Sequence, residues 1–205
     1  MAGHFPVAAF IALCLPQLSA ALPNGAPVSA CEDMEPVHTG VEPQTGPAPY
    51  TFTLSSSSFR NGQAISVQIM GPDYRGLLLQ ARTFASPTPL GSWINPPNNT
   101  KNLLCPLNVR GAITHANTNV KTNSTTYTWL PPDSNCPNVI MFKATIAQAR
   151  AIYWLNVQSA VLWKDATATC RSVNSGSSGL QTITWTSSVL LLLAAHLLLL
   201  CKGLH

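Results

Sequence analysis

The chain of 205 residues is 46% apolar and only 9% charged, with 11 Lys and Arg against 7 Asp and Glu. Charge this sparse, beside plentiful β-branched and aromatic residues, excludes a disordered solvating chain. The net charge of +4 is scattered without a basic cluster, which excludes nucleic-acid binding. Long apolar runs stand at the two termini alone, which excludes a multi-pass membrane protein.

Residues 1–20, MAGHFPVAAFIALCLPQLSA, are apolar and stop at small residues. They predict a signal peptide cleaved after Ala20 or Ala21, despite an n-region without Lys or Arg. Pro6 and Pro16 argue against a long core helix instead. The domain expected at 21–171 begins with an acidic stretch, Glu32, Asp33 and Glu35, near His38. These carboxylates precede Pro36 in an expected loop and read as a solvated turn, because a hard cation needs carboxylates converging from a fixed geometry.

Further along, apolar residues recur with a period of two. Tyr50, Phe52 and Leu54 alternate with Thr51 and Thr53, and Ile65, Val67 and Ile69 with Ser66 and Gln68. Within 76–84, Leu77-Leu78-Leu79 is apolar on both faces, as for a strand deep in a sandwich. Residues 85–108, rich in Pro, read as a long irregular connection, of the kind that is usually functional or disordered. Trp93 lies in it and is the candidate for contacting a partner. Tyr127 and Trp129 flank Thr128, Ile140, Phe142, Ala144 and Ile146 share one face, and Tyr153, Leu155, Val157 and Val161 share another. Trp129 and Trp154 read as core. Gly-Pro and Pro-Pro pairs separate these segments, and about seven strands imply two packed antiparallel sheets, an all-β sandwich.

Cys14 falls in the signal peptide and Cys201 in the tail, leaving Cys31, Cys105, Cys136 and Cys170. In an oxidising compartment four cysteines without a CxxC mean disulfides before zinc, and three pairings are possible. The sequons at Asn98 and Asn123 agree with export. After a small, polar linker and spacer at 172–188, an apolar tail at 189–205 matches a lipid-anchor (GPI) attachment signal, with Ser177 as the attachment residue and Asn174 and Gly176 as competing sites. The rival is a single spanning helix, but residues 189–201 would reach only ~20 Å against a ~30 Å hydrocarbon core. Free secretion is the third alternative, and in each case the domain is expected outside the cell.

Catalytic signals are sparse. No GxSxG occurs, and the domain's two histidines, His38 and His115, would need a third ligand to hold zinc. No enzyme activity, cofactor or resident metal is expected.

Several blocks, taken in order, carry a resemblance. They are Gly25-Ala26-Pro27-Val28-Ser29-Ala30-Cys31, Met34-Glu35-Pro36-Val37-His38, the run from Gly76 to Arg82, Leu104-Cys105, Ile113-Thr114-His115, the run from Tyr127 to Pro132, and the run from Val139 to Thr145. Their order and spacing resemble the reeler (reelin) domain over about residues 23–170. The resemblance implies an immunoglobulin-like antiparallel β-sandwich with disulfides Cys31–Cys105 and Cys136–Cys170, and it implies that His38 and His115 lie near each other. Family members include small secreted insect-type defence proteins, large matrix or guidance proteins, and ferric-chelate reductase-like proteins that add a DOMON domain and a haem-bearing cytochrome. The build expected here is closest to the defence proteins. Trans-membrane iron reduction needs haems held by paired His on several apolar helices, which this sequence does not offer.

The expected function is therefore a non-enzymatic extracellular module, tethered to the membrane through its C-terminal anchor. Its expected partner is an extracellular protein, a glycan or a microbial surface, in innate defence. The alternatives are cell adhesion or matrix binding, and a metal or redox accessory related to the ferric-chelate reductases.

Overall fold

The computed structural model describes residues 22–172. The expected signal peptide at 1–20, the attachment candidates Asn174, Gly176 and Ser177, and the tail at 189–205 lie outside the described residues. One helical turn, α1 (Ala30–Asp33), precedes the strands β1 (Thr51–Leu54), β2 (Ser58–Phe59), β3 (Ile65–Met70), β4 (Gly76–Arg82), β5 (Ser92–Ile94), β6 (Thr100–Cys105), β7 (Asn108–His115), β8 (Thr126–Leu130), β9 (Val139–Ala149), β10 (Ile152–Gln158) and β11 (Leu162–Lys164).

Period-two burial builds two sheets. The smaller runs β1-β3-β8-β5, and the larger runs β2-β11-β9-β4-β7-β6 with β10 added along β9. Pairing is antiparallel except between β2 and β11. Ile65, Val67 and Ile69 of β3 face Leu77, Leu79 and Ala81 of β4 and Ile140, Phe142, Ala144 and Ile146 of β9 across one core. Its centre is aromatic. Trp129 meets Phe142 edge-on with ring centroids 5.3 Å apart, and Trp93 lies 5.6 Å from Phe142. Both indole N–H groups donate to backbone carbonyls, Trp93 to Gly111 at 3.2 Å and Trp129 to Leu90 at 2.9 Å, so neither is buried unpaired.

Trp93 is therefore core, not a partner contact: it is 0% exposed and lies on β5 opposite Trp129. Residues 85–108 likewise hold β5 and β6 rather than one irregular connection. Their strands are short and interrupted by Pro, which hid the alternation. The face expected to join Tyr153, Leu155, Val157 and Val161 is broken by a register shift between Trp154 and Val157, where Asn156 takes φ +57°. After that bulge Leu162, not Val161, turns into the core. Trp154 packs at the margin of the core, edge-on to Tyr50.

The three consecutive leucines of β4 divide between two cores. Leu77 and Leu79 enter the inter-sheet core, while Leu78 turns outward into a second cluster with Ala30, Cys31, Met34, Leu103, Cys105 and Ala112. The chain ahead of β1 thus forms a third layer on the outer face of the larger sheet. Disulfide Cys31–Cys105 fastens it to β6, with Cα atoms 5.7 Å apart, and Cys136–Cys170 joins the segments after β8 and β11, with Cα atoms 5.8 Å apart.

Candidate functional site

The N-terminal layer is clasped to the sheet by polar side chains of β4, β7 and β9. Thr114 Oγ1 accepts from Ala26 N–H at 2.9 Å and donates to the Leu77 carbonyl at 2.7 Å. His115 Nδ1 accepts from Leu77 N–H at 3.2 Å, so its Nε2 carries the proton and donates to the Leu22 carbonyl at 3.1 Å. Thr145 Oγ1 donates to the Met34 carbonyl at 2.6 Å. Gln80 and Arg82 both donate to the Cys31 carbonyl, at 3.1 and 2.8 Å. Close approach at Gly25 requires glycine: φ is +115°, and a Cβ there would stand 2.7 Å from the His115 carbonyl oxygen.

Where the layer arches away from β4 and β9 it leaves a cavity of about 170 Å³. Pro27, Met34, Val37, Leu77, Leu78 and Ala147 give it apolar walls, and Tyr153 closes one side. Arg75, Arg150 and Glu35 bring charge to its lining, beside His38 and His115. Arg150 donates to the Thr39 carbonyl at 3.1 Å and Arg75 to the Thr118 carbonyl at 2.9 Å. The His38 ring stands edge-on to Tyr153 at 5.2 Å, and its Nδ1 is buried without a hydrogen-bond partner.

Burial lowers the pKa of both histidines. The Arg150 charge pushes His38 further down, and Lys121 and Lys101 do the same to His115, whose backbone hydrogen bonds oppose the shift. Both rings are thus biased toward the neutral form in a positive field. Lys121 is itself buried, with Nζ donating to the Arg75, Asn117 and Asn119 carbonyls; burial and Arg75 lower its pKa to about 8.

His38 and His115 do come together on this cavity. They do not make a two-histidine metal site, because backbone groups occupy both ring nitrogens of His115. Among the described residues no group of three or more His, Cys, Asp or Glu is placed to hold a metal ion. Glu32 and Asp33 lie on α1 rather than in a loop. The sequon residues Asn98 and Asn123 are exposed in turns, where a glycan could stay in water. The sequence reading missed Arg75, Arg150 and Tyr153 as lining residues, because they reach the cavity through tertiary contacts that leave no local pattern. It also missed Trp163, 60% exposed on β11, which short-range alternation could not separate from a core position.

Comparison with known proteins places these features in context. The family model described as "Reeler domain" matches residues 29–169. The Hdd11-like protein of Samia ricini, whose name assigns it to defence, is 36% identical over 152 residues, covering 70% of this chain and 87% of that protein. Ferric-chelate reductase 1 of Bos taurus is 35% identical over 164 residues, covering 78% of this chain but only 27% of that protein. The crystal structure of a human F-spondin reeler domain shares the fold with a TM-score of 0.50 and 16% identity, over 66% of this chain and 99% of that one.

Proposed function

The chain belongs to the reeler domain family, and from that premise we propose that it is an extracellular recognition module, non-enzymatic, tethered by a C-terminal lipid anchor and serving innate defence. The observation that carries this reading is the cavity under the disulfide-fastened N-terminal layer, a concave apolar site with a few charged groups at its edge, the usual form of a recognition pocket. Two disulfides hold the module in its binding shape, so little ordering entropy opposes capture of a ligand. Defence is favoured over adhesion by the names of relatives that this chain matches along most of their length.

The test is binding of the protein, as released from expressing cells, to bacterial envelopes and to matrix components side by side. Saturable binding to envelopes that is lost on reduction supports the defence reading. Binding to matrix alone replaces it with adhesion, and binding to neither removes recognition altogether.

A second reading, a metal or redox accessory, is favoured by the identity with ferric-chelate reductase 1, although this chain corresponds to about a quarter of that protein. Titration with iron, copper and zinc decides it. Saturable one-to-one binding of one of these metals supports the accessory role, and absence of binding removes it.

A further inference from the structure

We propose that the cavity beneath the N-terminal layer binds a medium-chain carboxylate, its hydrocarbon tail in the apolar chamber and its carboxylate on the Arg150 guanidinium at the rim. The inference deepens the recognition reading and rests on taking this cavity as the recognition site.

Size sets the tail. A chamber of about 170 Å³ is close to an engineered apolar cavity of ~150 Å³ that takes benzene, so it accommodates about six to ten carbons. It is too small for the drug-sized or polycyclic ligands that occupy pockets of roughly 300 Å³ and more. The walls contributed by Met34, Leu77, Leu78 and Ala147 offer a hydrocarbon tail contact on several sides.

Charge sets the head group. Two guanidiniums, Arg75 and Arg150, stand against one carboxylate, Glu35, in the lining. A guanidinium has five N–H donors in a fork that matches a carboxylate. Arg150, solvent-exposed and anchored by the Thr39 carbonyl, keeps that fork open to an incoming anion. Lys101 and Lys121 add to the positive field at His115. If the expected cleavage after Ala20 or Ala21 occurs, the new α-ammonium falls on Leu22 or the residue before it. Leu22 lines the same cavity, with its carbonyl held by His115.

The experiment is calorimetric titration of the protein, as released from cells, with octanoate, hexanoate, octan-1-ol and acetate, without envelopes or membranes. The expected result is one saturable site for octanoate. Octanoate should bind about tenfold more tightly than hexanoate, from burial of two further methylenes, and at least tenfold more tightly than octan-1-ol, while acetate fails to bind. Arg150→Gln, at an exposed position, should abolish the preference for octanoate over octan-1-ol. Ala147→Leu, with folding checked by thermal melting, should weaken both. Octanoate binding that survives Ala147→Leu in a folded protein overturns the cavity as the site. Equal affinity for octanoate and octan-1-ol, or no binding of either, overturns the carboxylate ligand. Since envelope binding takes no part in this titration, the ligand class can fail while the defence reading stands, and the reverse.

Discussion

At His115 one imidazole ties strand β4 to the start of the N-terminal layer, through the Leu77 amide on one nitrogen and the Leu22 carbonyl on the other. Only the neutral ring can accept and donate in this way. Burial lowers its folded pKa below the ordinary 6.5, so as pH falls the unfolded chain takes up the proton first. The stabilisation is complete above about pH 6.5 and is lost as pH falls toward the folded value. His38, shifted in the same direction, contributes with the same sign. In urea unfolding at pH 7.5 and pH 5, the wild type should lose more stability between the two than His115→Gln does. Equal losses would show that His115 does not carry the effect. The carboxamide of Gln can still accept and donate, so the variant removes the titration with little change in polarity.

A second residue-scale prediction concerns Gly25. The Gly25→Ala change puts a methyl group against the His115 carbonyl at a positive φ. It should cost about 1–3 kcal/mol, of the order expected for a strained left-handed backbone, read as a lowered melting temperature. Neither effect was visible locally, since His115 stood out in the sequence as one of two histidines in family blocks, and Gly25 only as part of such a block.

The N-terminal layer behaves as an element in its own right, although its only regular structure is one helical turn. Disulfide Cys31–Cys105 closes a sequence separation of 74 residues and Cys136–Cys170 one of 34, so each contributes about 4 kcal/mol in the chain-entropy model, an upper figure. Replacing Cys31 and Cys105 together by Ser should lower the melting temperature and speed amide exchange at Leu78 and Ala112, beneath the layer. Replacing Cys136 and Cys170 should lower the melting temperature and leave that exchange slow. If both pairs gave the same exchange pattern, the layer would not be held by its own bridge.

Strand legibility followed from the same contrast between local and distant constraints. β3 alternates cleanly because one side of it faces the core and the other does not. β9, by contrast, carries Ile140, Phe142, Ala144 and Ile146 on the core side and also buries Met141 and Thr145 on the other. The triple leucine of β4 announced burial on both faces, and the second face belongs to the layer. β5 and β6 escaped notice because their Pro-rich surroundings hide strands only 3 and 6 residues long. The same cause misplaced Trp93, whose burial depends on packing beside Phe142 and Tyr127.

Over the whole molecule, the described residues present further apolar surface outside the cavity. Leu107 is 84% exposed at the turn between β6 and β7, and Trp163 is 60% exposed on β11. Among the described residues no helix is long and apolar enough to cross a membrane, and the proposed lipid anchor belongs to the tail outside them. Phosphatidylinositol-specific phospholipase C should release the protein from cells that express it. Retention after treatment, with peptides from residues 190–200 still present in the mature protein, would replace the lipid anchor with a spanning helix.

The amino-acid sequence by itself determined that the body is all-β and that it is a reeler domain, because alternation and ordered motif blocks are written in neighbouring residues. The two disulfide pairs followed from that resemblance rather than from spacing. Only the tertiary structure decided that Trp93 is core, that Leu78 serves a second core, and that a charged-rim cavity opens under the N-terminal layer. The contacts that create this cavity join residues far apart in the chain, Ala26 to Thr114 across 88 positions and Met34 to Thr145 across 111. Periodicity reports which face of a strand is covered; what covers it is settled only when distant segments meet.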